Sequence, residues 1–354
     1  MTYHRHIISG NRSLIEALRQ LNSLPGSSMT LFVTDDSGRV VGTITDGDIR
    51  RALIAGNGLD MTVGDASHHQ FRFLREGSID VQALREYREA GITLIPVLDT
   101  EGRLVRVIDL SRVRSELPVG AILMAGGKGE RLRPMTLKVP KPLLKIEGKA
   151  IIDYNIEAIA ECGIRDITVC TGYLAEQLEE HFSKPVGGVM VRCVHEDTPL
   201  GTIGAATLAD IPAQGDTLVM NSDLLTTISF EEMYLRHKAS GADITIGVIP
   251  YQVSVPFAVL SLDGTDPSIV TGIEEKPSYS YYANAGIYLF SNSVLKTLPE
   301  GVRTDATDLI SASIAAGRKT CYYPIKGTWI DVGSPADFKQ ASDLMRHHKA
   351  MEKQ

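Results

Sequence analysis

From residue 121 onward, short apolar runs alternate with stretches that carry apolar residues at helical spacing. This alternation restricts the fold more than any other feature of the chain. The runs are AILMAGG (121–127), ITVCTGY (167–173), VMVRCVHE (189–196), TLVMNSD (217–223), ADITIGVI (242–249) and NAGIYLF (284–290). Between two of them, IIDYNIEAIAECG (151–163) shows helical spacing and ends in Gly163, while PADFKQASDLMRHHKAMEKQ reads as a C-terminal helix opened by Pro335. Strands separated by helices pair through crossovers, which predicts an α/β fold with a Rossmann-like, mostly parallel sheet and helices on both faces.

The segment before residue 114 has a different pattern. LFVTDDSGRVVGTITDGDI (31–49) overlays LIPVLDTEGRLVRVIDLSR (94–112) after a shift of 64, which aligns Val33 with Val97, Gly38 with Gly102 and Ile44 with Ile108. Each copy reads as strand, Asp/Gly turn, strand. Each follows a helical pattern, Ile15-Leu18-Leu21 in the first and Val81-Leu84-Tyr87 in the second. Neither unit can bury a face alone, so the two are expected to pack together. RSELPVG (114–120) is the expected linker, giving repeats over about 1–62 and 63–115 and a second domain over 119–354.

The 354 residues include 36 Lys+Arg against 43 Asp+Glu, a net charge of −7 that argues against a nucleic-acid face. No apolar run reaches membrane-spanning length and no signal-peptide pattern opens the chain, so a cytoplasmic protein without membrane attachment is expected. Cys162, Cys170, Cys193 and Cys321 lack metal-like spacing and read as reduced core thiols.

The sharpest local signal is LMAGGKGERLRPMTLKVPKPLLKIEGK (123–149). An apolar strand delivers Ala125, Gly126, Gly127 and Gly129 to its C-terminal end, where missing Cβ atoms let backbone N–H groups approach phosphate oxygens. Arg131, Arg133, Lys138, Lys141 and Lys145 follow at once, although the chain as a whole is acidic. A tight turn with a solvated basic face would explain the glycines alone; the basic cluster favours a polyphosphate. Neither a Walker loop nor a dinucleotide GxGxxG pattern fits.

AGGKGERLRPMT followed by PKPLL resembles the signature of the sugar-1-phosphate nucleotidylyltransferases. PLGT (199–202), NSD (221–223), EEKP (274–277), NAGIYLF (284–290) and WIDVGSP (329–335) follow in the family's order, so the resemblance covers about residues 119–340. It implies a magnesium-dependent enzyme. Such an enzyme joins a nucleoside triphosphate to a sugar 1-phosphate and releases pyrophosphate, by positioning and charge stabilisation rather than a covalent nucleophile. By the same resemblance Asp223 and Asp331 hold Mg²⁺, and Arg131 and Lys141 clamp the triphosphate with Asp223 as catalytic partner. Gly201 and Thr202 line the nucleotide site. Glu275, Lys276, Asn284 and Gly286 hold the sugar phosphate.

Glu196 stands where thymidylyl- and uridylyl-transferring relatives have Gln. A carboxylate only accepts hydrogen bonds, which suits the adjacent N1–H and N2–H₂ donors of guanine better than a pyrimidine edge. GTP is therefore the expected nucleotide. The sugar is expected to be of glucosamine, mannose or heptose type, with a uridylyl or thymidylyl enzyme as the alternative.

The N-terminal pair resembles CBS domains, most clearly in GTITDGDIRRALIAG (42–56). The resemblance implies an AMP or ATP ligand at Thr45 and Asp48, and a homo-oligomer. In the second copy Asp109 and Arg112 replace that pair, so at most one adenine-nucleotide site is expected. Packing and dimerisation remain an equal reading of the pair, and a sensor with an inactive transferase domain is the non-enzymatic alternative.

Overall fold

The computed structural model describes residues 3–24 and 29–351, so the helical reading of 352–354 lies outside the described residues. The chain forms two compact units. One runs to Leu117 and includes Glu161–Gly163, and the other comprises Pro118–Ala160 and the chain from Ile164 onward.

In the first unit the elements are β1 (Ile7–Ser9), α1 (Leu14–Asn22), β2 (Thr30–Thr34), β3 (Val40–Thr45), α2 (Asp46–Ile54), α3 (Val63–Ala66), β4 (Leu74–Arg75), α4 (Val81–Glu89), β5 (Leu94–Leu98) and β6 (Leu104–Asp109). They build two three-stranded sheets, β1-β2-β3 and β4-β5-β6. The shift of 64 maps β2 onto β5 and β3 onto β6, down to a register irregularity at Val33/Thr34 and at Val97/Leu98. The cause is local and repeated. Asp35 Oδ1 accepts from the amides of Ser37 and Arg39, Asp99 Oδ1 from those of Glu101 and Arg103, and Gly38 and Gly102 supply φ of +80° and +83°. Each repeat has its own core, and Phe32, Val40, Leu94 and Leu98 form a further cluster that joins them.

The buried face of α1 differs from the expected one. A Ser13–Glu16 capping box starts this helix at Leu14, so Leu14, Ala17 and Leu21 point inward while Ile15 stays half-exposed. The second copy has no counterpart of α2, and its Asp109 instead accepts from the amide and hydroxyl of Ser111.

The second unit contains β7 (Val119–Ala125), β8 (Lys145–Ile146), β9 (Lys149–Ala150), α5 (Ile151–Glu161), β10 (Ile167–Thr171), α6 (Ala175–His181), β11 (Arg192–His195), β12 (Asp216–Asn221), β13 (Leu224–Thr226) and α7 (Phe230–Ser240). It continues through β14 (Ile244–Ser254), β15 (Val259–Leu262), β16 (Val270–Glu274), β17 (Ser278–Ser291), α8 (Asn292–Leu295), α9 (Ala306–Ala315), β18 (Thr320–Pro324), β19 (Trp329–Asp331) and α10 (Pro335–Met351). The central sheet has the order β11-β10-β7-β12-β17-β14-β18, in which only β17 runs antiparallel to its neighbours. Ile122, Val219, Ile244 and Phe290 pack between sheet and helices. β7 leads on to β10 at one side and is joined by β12 at the other. That reversal of strand order opens a crevice at its C-terminal end.

Two of the four cysteines depart from the core reading: Cys162 and Cys170 are buried, whereas Cys193 and Cys321 are half-buried and none is disulfide-bonded. Among the described residues no helix is long and apolar enough to cross a membrane.

Candidate functional site

The crevice at the end of β7 is a cleft of about 450 Å³ lined by residues that include Ala125, Gly126, Gly127, Gly129, Arg131, Lys141, Glu196, Gly201, Thr202 and Asp223. These come from segments up to a hundred residues apart. Gly129 occupies φ +59°, and a Cβ there would sit 3.1 Å from the Cβ of Lys141, so the glycine lets the lysine stem approach. Gly127 has open space where its Cβ would be. The loop thus presents bare backbone to the cleft.

Of the five basic residues after the glycines, only Arg131 and Lys141 line the cleft. Arg133 pairs with Glu130, and Lys138 and Lys145 are exposed. Lys141 is 8% exposed. Its Nζ donates to Asp223 Oδ2 and lies 3.5 Å from Asp331 Oδ1, so it bridges two carboxylates from distant segments. Arg131 makes no ion pair among the described residues, and its guanidinium would meet a Cβ at Gly333 within 3.0–3.3 Å.

Several contacts fix the aspartates. Ser222 Oγ donates to Met124 O (2.7 Å), tying the NSD turn to the end of β7. Asn155, buried on α5, donates Nδ2 to Leu224 O (2.9 Å) and Ser222 O (3.4 Å) and so holds both sides of Asp223. β13 pairs antiparallel with β19, placing Leu224 opposite Asp331, and the amide of Val332 donates to Asp223 O. Asn155 and Ser222 escaped the sequence reading. An asparagine inside an otherwise apolar helix face was the signal for the first.

The donor set suits a hard divalent cation. Asp223 Oδ1 is buried without a hydrogen-bond partner. Burial and then the Asp223 carboxylate raise the Asp331 carboxyl above its ordinary value, against the opposing effect of Lys141 and Arg131. Two carboxylates and two cations, Lys141 and Arg131, thus share this site. Among the described residues no group of three His, Cys, Asp or Glu side chains forms a ready-made metal site, so two carboxylates need oxygens from a ligand to complete a coordination shell. Cys170 also lines the cleft, but burial foremost, then Glu196, pushes its thiol up to about 12, which keeps it protonated and unreactive.

Glu196 lies over the glycine floor. A Cβ on Gly126 would fall 1.8 Å from its Oε1, and one on Gly172 3.0 Å from the same atom. Its Oε2 accepts from the Leu200 amide (3.0 Å), while Oε1 takes no hydrogen bond from the described residues. Gly201 adopts φ +82° against the Thr304 carbonyl, and the Thr202 hydroxyl accepts from the Ala306 amide at the start of α9. A second cleft of about 490 Å³ shares Gly126, Gly127, Glu196 and Gly201 with the first and adds Gly172, Tyr173 and Arg303.

The four expected sugar-side residues are placed differently. Glu275 and Lys276 are exposed in the turn between β16 and β17 and line neither cleft. Asn284 satisfies its amide within β17, donating to the Tyr288 hydroxyl and accepting from the Gly286 amide. Gly286 packs against Asn221, which does line the first cleft.

In the first unit, Thr45 and Asp48 form the capping box of α2, with Arg51 donating to Asp48. Both also line a cleft of about 620 Å³ together with His68, Phe71, Arg72 and Thr93. Burial raises the Asp48 carboxyl, and hydrogen bonds from Thr45 and Arg51 outweigh it, leaving it below the ordinary value.

Comparison with known proteins follows this division. Residues 1–55 match the profile of the CBS domain. A mannose-1-phosphate guanylyltransferase catalytic subunit beta from Dictyostelium discoideum is 31% identical over 63% of this chain and 64% of its own length. A mannose-1-phosphate guanyltransferase from Neurospora crassa is 32% identical, with 62% of each chain covered. The chain therefore spans less than two thirds of the length of these relatives. A solved Bacillus anthracis structure, assigned as a glucose-1-phosphate thymidylyltransferase, superimposes with a TM-score of 0.50 at 24% identity, over 64% of this chain and 95% of that one; this likeness concerns the fold. Residues 120–348, well over half of the chain, match the Nucleotidyl transferase profile, and the chain belongs to that family.

Proposed function

We propose that this protein is a sugar-1-phosphate nucleotidylyltransferase that transfers GMP from GTP to a sugar 1-phosphate and releases pyrophosphate. The observation that carries the reading is the convergence of Lys141, Asp223 and Asp331 at the end of a glycine loop. The names of the relatives favour guanine as the base and mannose 1-phosphate among the acceptors.

In this reading the amides of 126–129 cradle the triphosphate, Arg131 grips it through its planar fork, and Lys141 neutralises charge near the α-phosphate. A sugar-phosphate oxygen attacks the α-phosphorus while the bond to pyrophosphate breaks in line. The attacking oxygen is already ionised, so no general base is required. Asp223 and Asp331 would hold Mg²⁺. The bound ion would neutralise phosphate charge and orient the triphosphate oxygens. Burial of Lys141 between the two carboxylates fixes its side chain before the substrate arrives, which is the preorganisation that electrostatic catalysis needs.

The cleft at Thr45 and Asp48 is assigned to an adenine nucleotide, AMP or ATP, and the protein to a homo-oligomer. Saturable binding of AMP or ATP in equilibrium dialysis, and a mass above one chain in solution, test these two points. The reaction is tested by measuring pyrophosphate release from four nucleoside triphosphates against a panel of sugar 1-phosphates, with and without Mg²⁺. Turnover with GTP and Mg²⁺ is expected. Release from no triphosphate would end the reading.

A further inference from the structure

The two clefts of the second unit differ in chemistry although they share a wall. The first holds Arg131, Lys141 and Asp223, the groups suited to phosphate. The second lacks all three; it shares Glu196 with the first and adds Lys128, Tyr173, His195, Asp197 and Arg303. A nucleotide laid across the shared residues Gly126, Gly127 and Gly201 has room for its phosphates in the first cleft and its base in the second.

Arg303 reaches this cleft from a segment a hundred residues downstream of Glu196, and both are anchored to the same peptide. The Leu200 amide donates to Glu196 Oε2 (3.0 Å), and the Leu200 carbonyl accepts from the Thr304 amide (2.9 Å). Residue 304 is locked further, because its carbonyl accepts from the Ile203 and Gly204 amides and Asp305 Oδ1 accepts from the Thr202 amide. The backbone next to Arg303 is therefore held by hydrogen bonds, while its side chain is largely exposed. The only ion pair of Arg303 among the described residues is a long one, 3.8 Å to Asp305 Oδ2, with the side chain 73% exposed. An acceptor with a free oxygen, Glu196, thus flanks the cleft together with a planar five-donor fork, Arg303.

We propose that Arg303 is a specificity-determining residue that reads the O6/N7 edge of a guanine base seated in the second cleft, opposite the contact of Glu196 with N1–H and N2–H₂. Guanine is the base that offers two adjacent donors on one edge and two adjacent acceptors on the next, and arginine matches the latter bidentately. Adenine turns an amino group toward the guanidinium. Uracil and thymine offer O4 without a neighbouring ring acceptor. This inference rests on the guanylyl reading above.

The test compares kcat/KM for GTP, 7-deaza-GTP (which lacks the N7 acceptor) and UTP in the full-length protein and in the variants Arg303→Met and Arg303→Lys. Wild type is expected to prefer GTP over 7-deaza-GTP by roughly tenfold, and Arg303→Met to lose roughly ten- to a hundredfold on GTP. In both variants the GTP/7-deaza-GTP ratio should fall toward one, because lysine keeps the charge but not the fork. Turnover of UTP should change little. Equal use of the two purines by wild type, or a ratio preserved in either variant, overturns the proposal while leaving the enzyme assignment standing. A wild-type protein that releases pyrophosphate from no triphosphate would instead remove that assignment and this inference with it.

Discussion

Asp223 offers one oxygen to Lys141 and keeps the other buried and unpartnered. Replacing it with asparagine removes the charge at nearly constant shape. Asp223→Asn should therefore abolish pyrophosphate release and Mn²⁺ binding followed by EPR, with an unchanged circular dichroism spectrum. Activity near wild type would remove its metal role. Glu196 supports a subtler test. In Glu196→Gln the amide oxygen can keep accepting from Leu200, so the loop stays in place while the free oxygen becomes a donor. A donor there repels guanine N1–H and suits a pyrimidine carbonyl, so the GTP/UTP ratio of kcat/KM should drop by about tenfold, the effect of one mispaired buried group. An unchanged ratio would show that Glu196 positions the loop without reading the base.

At the scale of elements, the site depends on contacts between segments distant in sequence. The β13–β19 ribbon brings Asp331 beside Asp223, and the segment at 302–305 closes over the turn at Gly201. That turn has no room for a side chain, since a Cβ would fall 2.5 Å from Thr304 O at φ +82°. Gly201→Ala should lower the stability of the second unit by about 1–3 kcal/mol through backbone strain, measured as a shifted urea midpoint. It should also raise KM for the nucleotide, because the displaced segment carries Leu200 and Thr304. A wild-type midpoint would mean that the turn is free to relax. These closures were not legible in the sequence. PLGT and NSD were recognisable as motifs, but nothing in their spacing announces that residue 304 seals one or that Asn155 clamps the other. EEKP is likewise recognisable as a motif, and only the fold shows that Glu275 and Lys276 stand in an exposed turn.

For the molecule as a whole, acid stability has an identifiable contributor. Asp216 begins β12, and although burial raises its carboxyl, hydrogen bonds from buried His237 and from Lys238 hold it below 3.8. Because the unfolded chain then binds more protons than the folded one, this pairing adds stability that is complete above about pH 4 and fades as pH falls through the depressed value. Lys238 contributes the converse: its ammonium is raised above 10.5 by Asp216, and that support is lost as pH rises through the raised value. Asp216→Asn should lower the urea midpoint at neutral pH and flatten its acid decline; an unaltered slope would assign acid sensitivity to other carboxylates. The sequence by itself determined the periodic features: the 64-residue repeat with its Asp/Gly turns, the alternation that makes a parallel sheet, and the glycine loop with Arg131 and Lys141. Each of these is a local pattern, because turn chemistry and burial period act within a few residues. Only the tertiary structure decided which carboxylates meet around Lys141, that Glu196 lies over Gly126, and that Arg303 shares its cleft. Such meetings follow from strand order and side-chain packing, and no local pattern in the chain carries that information.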